Sequence, residues 1–172
     1  GVIEMVRNAG ATVSSSADLV TRFYAVWDDA LRPSHGRAAE ELARIAREAF
    51  ALAGERARHG EAMREYELAE WIRGALQSVG LMTDHGPNVS IGPNAANPHY
   101  DPPEVDSARI GVGDILLVDL WAREPEGIYA DQTWMGSIGG PSERDLRLWE
   151  TVRDARDTGI DFLYDRMRRR VP

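Results

Sequence analysis

Ile115-Leu116-Leu117-Val118-Asp119-Leu120-Trp121 is among the most apolar runs in the chain, yet it carries a carboxylate. A charged turn, Arg123-Glu124-Pro125-Glu126-Gly127, separates it from Ile128-Tyr129-Ala130-Asp131-Gln132-Thr133-Trp134. Two β-prone runs around a turn of this composition predict a β-hairpin with a five-residue connection. Asp119 and Asp131 each stand six residues from Pro125, so a hairpin symmetric about that proline sets them opposite each other. Opposed strand residues hold their Cβ atoms roughly 4.5–5.5 Å apart. Two carboxylates that close repel unless a proton or a cation lies between them. A hard divalent cation suits an all-oxygen pair. The alternative is two unrelated aspartates flanking a turn, which a single bulge would send to opposite faces.

Outward from the hairpin, periodicity changes from two to 3.6. Ser142 and Asp145 form a capping-box pattern opening a last helix to about Met167, with Leu146, Trp149, Val152, Arg156, Ile160, Leu163 and Tyr164 on one stripe. Upstream, residues 83–108 are rich in Pro, Asn, Gly and Asp, with a short β-like piece at Val89–Ile91. Before them, Glu65 to Val79 reads as a helix with Leu68, Ile72, Ala75 and Val79 aligned, stopped by Gly80. Arg37–Arg58 reads as another, with Leu42, Ile45, Ala49 and Leu52 aligned and a break expected at Leu31–Gly36. A further helix is expected from Ala17, with Leu19, Val20, Phe23, Val26 and Trp27 at helical spacing. Helices segregated from antiparallel strands give an α+β class, helices packed on an antiparallel sheet.

Composition narrows function. The 172 residues are 43% hydrophobic and 28% charged, ordinary for a globular chain. A formal net charge of −8 argues against nucleic acid or an anionic membrane surface as a partner. No run approaches the roughly 18 apolar residues of a membrane span. With no cysteine, a thiol nucleophile and a thiolate–zinc site are excluded, and a cytoplasmic location is expected. All 20 basic residues are arginine, which excludes a catalytic lysine. Arg168-Arg169-Arg170 reads as the solvated end of a helix, where cations suit the dipole. His35, His59 and His85 read as surface residues.

Several segments together resemble one family. Ile91-Gly92-Pro93-Asn94-Ala95-Ala96-Asn97-Pro98-His99-Tyr100 resembles the "G-x-N-a-a-x-P-H-Y" edge of the creatinase/aminopeptidase P active site. Gly113–Leu120 resembles its "G-D-x-v-l-i-D-x-G" strand, and Tyr129–Trp134 its "Y-x-x-D-I-T-R" strand. Glu65-Tyr66-Glu67 resembles its "T-E-Y-E" helix start, and Ser15–Val20 the segment entering the catalytic domain. The matches run in the family's order from about Ser15 onward. Departures are a spacing of Asp119 to Asp131 one residue longer than the commonest, Trp121 for glycine, Gln132 and Trp134 after the second aspartate, and Arg64 for a capping threonine.

The resemblance implies the first half of a pita-bread catalytic domain over residues 36–172, with 1–35 an exit segment from a preceding domain. It implies Asp119 and Asp131 as metal ligands, with Asp131 bridging two divalent ions (Mn, Co or Zn), and His99 as the catalytic histidine beside them. The family's remaining ligands, a histidine and two glutamates, belong to its second half and have no counterpart after Trp149. The implied activity of the parent protein is hydrolysis of the N-terminal peptide bond of a peptide substrate, at Xaa-Pro bonds. This chain alone is expected to be inactive, to bind metal weakly or not at all, and to self-associate through uncovered apolar stripes. The alternatives are a metal-free creatinase-like hydrolase and a non-catalytic pita-bread binding module.

Overall fold

The computed structural model describes residues 1–169. Its elements are α1 (Val2–Asn8), α2 (Ala17–Tyr24), α3 (Leu31–Arg58), α4 (Glu65–Ser78), β1 (Asn88–Ile91), a 3-10 turn (Gly92–Ala96), β2 (Ile115–Ala122), β3 (Ala130–Ser137) and α5 (Glu143–Arg169). The three strands form one antiparallel sheet in the order β1-β2-β3. Helices on one side of an antiparallel sheet are the α+β arrangement expected from the periodicities.

The core lies between that sheet and α3 and α4. Leu116, Val118, Leu120 and Ala122 of β2 are fully buried, as are Leu42, Ile45 and Ala49 of α3 and Leu68 and Ile72 of α4. Small residues bring α3 close to the strands: Ala38, Ala46, Ala49 and Ala53 are all buried along it. At Gly136 on β3 a Cβ would meet the Phe50 ring at 2.8 Å, so glycine is what lets that ring lie on the strand. Gln132 donates to the Ala39 carbonyl at 2.9 Å and accepts from the Trp134 indole at 2.9 Å. Two of the departures from the family's strand pattern therefore fasten β3 to α3, on the helix side of the sheet.

Three expectations are corrected. The break at Leu31–Gly36 does not occur, and α3 starts at Leu31. Pro33 falls in the first turn, where its missing N–H has no intrahelical acceptor to lose. On α4 the buried positions are Glu65, Leu68, Ala69, Ile72 and Leu76, whereas Val79 is exposed at the helix end. His35 is half-buried, its Nδ1 2.9 Å from the Tyr129 carbonyl and its ring against Trp27. His59 and His85 are exposed.

The outer helices differ from this core. The capping box at Ser142 and Asp145 is present, each backbone N–H donating to the other side chain at 3.0 and 3.2 Å. None of α1, α2 and α5 buries a residue. Leu146, Trp149, Val152, Ile160, Leu163 and Tyr164 stay exposed along α5. Of the run Arg168-Arg169-Arg170, Arg170 lies outside the described residues, as do the last residues of the 36–172 unit. No helix among the described residues is long and apolar enough to cross a membrane.

A core of this kind responds sharply to truncation. Leu120→Ala should lower unfolding free energy in urea by about 2–5 kcal/mol. Val105→Ala, at an exposed position, should stay within about 0.5 kcal/mol. Equal small effects would mean that β2 is not the centre of the core.

Candidate metal centre

Period-two alternation in β2 resolves the buried-carboxylate anomaly. Leu116, Val118 and Leu120 point to the helices, so Asp119 and Trp121 point to the opposite, open face. The register pairs Trp121 with Asp131 and Asp119 with Thr133. Asp119 and Asp131 therefore share the open face as diagonal neighbours. The direct opposition expected from symmetry about Pro125 is corrected. Diagonal residues sit roughly 7–8 Å apart, which leaves room for a cation held at about 2.0–2.6 Å by an oxygen from each.

The cause of the shifted register lies in the turn. Ladder pairing stops at Ala122 and Ala130, so the connection runs over residues 123–129. Its backbone is claimed by α3. Ile128 N–H donates to the Ser34 hydroxyl at 3.4 Å, and the Tyr129 carbonyl faces His35. Arg37 grips Glu124 with two hydrogen bonds of 2.7 and 2.8 Å. The additional residue between the aspartates is thus absorbed in a loop that α3 anchors.

The electrostatics agree with two close carboxylates. Partial desolvation at the sheet surface, and then the charge of Asp119, push the Asp131 carboxyl above the usual aspartate range. Asp119 accepts from the Thr133 hydroxyl at 2.7 Å, which fixes one oxygen of the pair. Trp121 donates its indole N–H to Asp84 at 3.1 Å and meets the His85 ring at 4.9 Å. That hydrogen bond is the main reason the Asp84 carboxyl is held low. The indole is thereby turned to the 82–88 segment, which runs beside β2 through the Met82–Arg123 bridge.

His99 is exposed and follows the 3-10 turn. Its N–H donates to Asn97 Oδ1 at 3.0 Å, and the Asn97 carbonyl accepts from Asn88 Nδ2 at 3.3 Å. Asn88 is the strand partner of Asp119. Among the described residues, no three His, Asp or Glu side chains converge as a metal cage. Asp119 and Asp131 form the carboxylate pair, and the backbone of His99 is linked through Asn97 to Asn88, the ladder partner of Asp119.

Residues 37–168 match metallopeptidase family M24. The chain belongs to that family. Among solved structures it resembles a dipeptidase from Pyrococcus horikoshii OT3 at 26% identity and TM-score 0.67, over 85% of this chain and 38% of that one. It resembles a prolidase from Thermococcus sibiricus at 23% identity and TM-score 0.65, over 92% and 42%. A third similar structure is an X-prolyl aminopeptidase from Caenorhabditis elegans, described as a cytosolic enzyme with a di-nuclear active site, at 20% identity and TM-score 0.60, over 68% and 19%. Among curated proteins, none matches the chain significantly. The chain spans about two fifths or less of the length of these M24 structures. The partial pita-bread architecture expected from the motifs is the one shared with them.

One fully buried carboxylate of this M24 fold reads in the sequence only as a helix start. Glu65 is fully buried. Its carboxylate accepts from Ile91 N–H at 2.8 Å, Ala108 N–H at 3.0 Å, the Tyr100 hydroxyl at 2.7 Å and Asn94 Nδ2 at 3.1 Å. The signal was present: Glu65, Leu68 and Ile72 share one helical face, so a carboxylate stands on an apolar stripe. Burial, followed by the hydrogen bond and charge of Glu65, pushes the Tyr100 phenol up to about 12.

The Asp131 shift has a checkable sign. A carboxyl whose pKa is raised on folding loses stability as pH climbs above 3.8 through its folded value. Asp131→Asn should therefore raise the thermal midpoint at neutral pH, with the gain fading below that value. Destabilisation at neutral pH would contradict the repulsion between the two carboxylates. Asp131 is well exposed, so the gain should be small.

Proposed function

We propose that this chain supplies two carboxylate ligands of a dinuclear metallopeptidase centre, and that the parent protein hydrolyses the N-terminal peptide bond of peptides, with Xaa-Pro substrates. The observation that carries this reading is the pair Asp119 and Asp131, diagonal neighbours on the open sheet face. The donor set fits hard or borderline divalent ions, with Mn the first to test and Co or Zn also suited. Bound divalent cations supply Lewis-acid polarisation of a carbonyl and acidification of water. Two carboxylates offer too few oxygens for two cations of coordination four to six, so water or further donors would complete the coordination. Membership in M24 and the fold shared with a prolidase and a di-nuclear X-prolyl aminopeptidase support the reading.

In this reading each residue has one task. Asp131, nearer the turn, and Asp119, steadied by Thr133, would together hold the divalent ions. His99, on the loop after the 3-10 turn, would contact substrate and pass a proton. Residues 36–172 form the first half of the catalytic unit, and residues 1–35 lead into it. The stripe on α5 has no cover among the described residues, and two copies of the chain pair through it.

Calorimetric titration with Mn²⁺ should show weak binding that Asp119→Asn and Asp131→Asn each abolish. Binding that survives both substitutions would overturn the ligand assignment. The chain by itself should not turn over Xaa-Pro dipeptides, whereas the parent protein should. In the parent, His99→Ala should cut kcat about 100-fold or more. Wild-type kcat in that variant would remove His99 from the reaction.

Pairing through α5 has its own measurement. Sedimentation at tens of micromolar should give a dimer, and Leu163→Asp should return it to monomer. A wild-type monomer at that concentration would mean that α5 makes no such contact.

A further inference from the structure

We propose that Glu65 is a positioning residue, one that fixes His99 relative to Asp119 and Asp131 by gathering both ends of the 91–108 segment onto the start of α4. The proposal rests on the role given to His99 above. Glu65 itself is wholly buried and is no candidate ligand. All of its partners are donors, so both oxygens act as acceptors. A buried carboxylate is costly unless every lone pair is met, and here the donors come from two places. Ile91, Asn94 and Tyr100 bracket the turn that leads to His99. Ala108 lies at the far end of the segment, where its carbonyl also accepts from Glu65 N–H at 2.9 Å.

A leucine at position 65 would continue the apolar stripe of α4 with nothing to satisfy. It could not hold the loop. Tyr100 follows His99 directly, and its hydroxyl both donates to Glu65 and accepts from Asn94 at 3.1 Å. The second anchor is on the other side of His99. Asn88 holds the Asn97 carbonyl, Asn97 Oδ1 holds the His99 N–H, and Asn88 faces Asp119 across the ladder. The backbone of His99 thus sits between one tie to β1, which pairs with the strand of Asp119, and one to α4. Its place is set by Glu65 from behind and by Asn88 from the side. Each tie alone would leave the loop a hinge.

The test uses the full chain and two variants. Glu65→Gln keeps the shape but turns one acceptor into a donor that must face an N–H or the Tyr100 hydroxyl. Tyr100→Phe removes one hydrogen bond and adds no donor. Circular dichroism establishes folding, and NMR reads amide exchange at Ile91 and Ala108 together with the titration curve of the His99 ring. In Glu65→Gln, exchange should rise roughly tenfold or more and the His99 curve should move. Tyr100→Phe should move it in the same direction by less. A lower melting temperature with an unchanged His99 curve would overturn the proposal, since Glu65 would then only fasten the core. If Glu65→Gln does not fold, Tyr100→Phe decides by the same curve. Added Mn²⁺ separates the two readings: failure to broaden the Asp119 and Asp131 signals removes the metal reading, while the His99 curve still judges the tether.

Discussion

Packing of one face of β2 against α3 is the constraint on which the rest of the structure depends. Leu116, Val118, Leu120 and Ala122 are all buried against that layer. A strand has only two faces, so everything between those residues must face away. Asp119 owes its position to its apolar neighbours. The open face of the sheet carries Asp119 and Asp131, and α3 and α4 lie behind the opposite face.

Polar groups then divide by side. Gln132 bonds to α3 and accepts from Trp134 on the covered side. Thr133 steadies Asp119 on the open side. Residues adjacent in sequence thus serve different layers, and two of the departures from the family's motif concern helix packing and leave the carboxylate pair intact. Burial is also what makes Glu65 stand out. A carboxylate excluded from solvent must collect donors, and the donors it collects belong to the segment carrying His99.

Between these layers the cost of polar burial falls unevenly. Asp131 remains near solvent, so its repulsion with Asp119 stays modest. Glu65 has no such relief and is satisfied instead by hydrogen bonds. Asn88 Oδ1 and Ser90 Oγ are buried and have no hydrogen-bond partner among the described residues. They lie on the same sheet face as Asp119, in strand register with Asp119 and Leu117.

The sequence by itself determined the hairpin, the long helices, the α+β class and the identity of Asp119, Asp131 and His99 as candidates, because periodicity, turn chemistry and motif order are local properties. Tertiary structure alone decided the register. The pivot moved off Pro125 because Ser34 and His35, distant in the chain, took the backbone groups of Ile128 and Tyr129. The same holds for the start of α3 at Leu31, where packing outweighed the Pro and Gly signals that suggested a break. Glu65 lay between the two cases. Its place on an apolar stripe was written in the sequence, but the donors that give the carboxylate its purpose come from 26 to 43 residues away, and only folding brings them together.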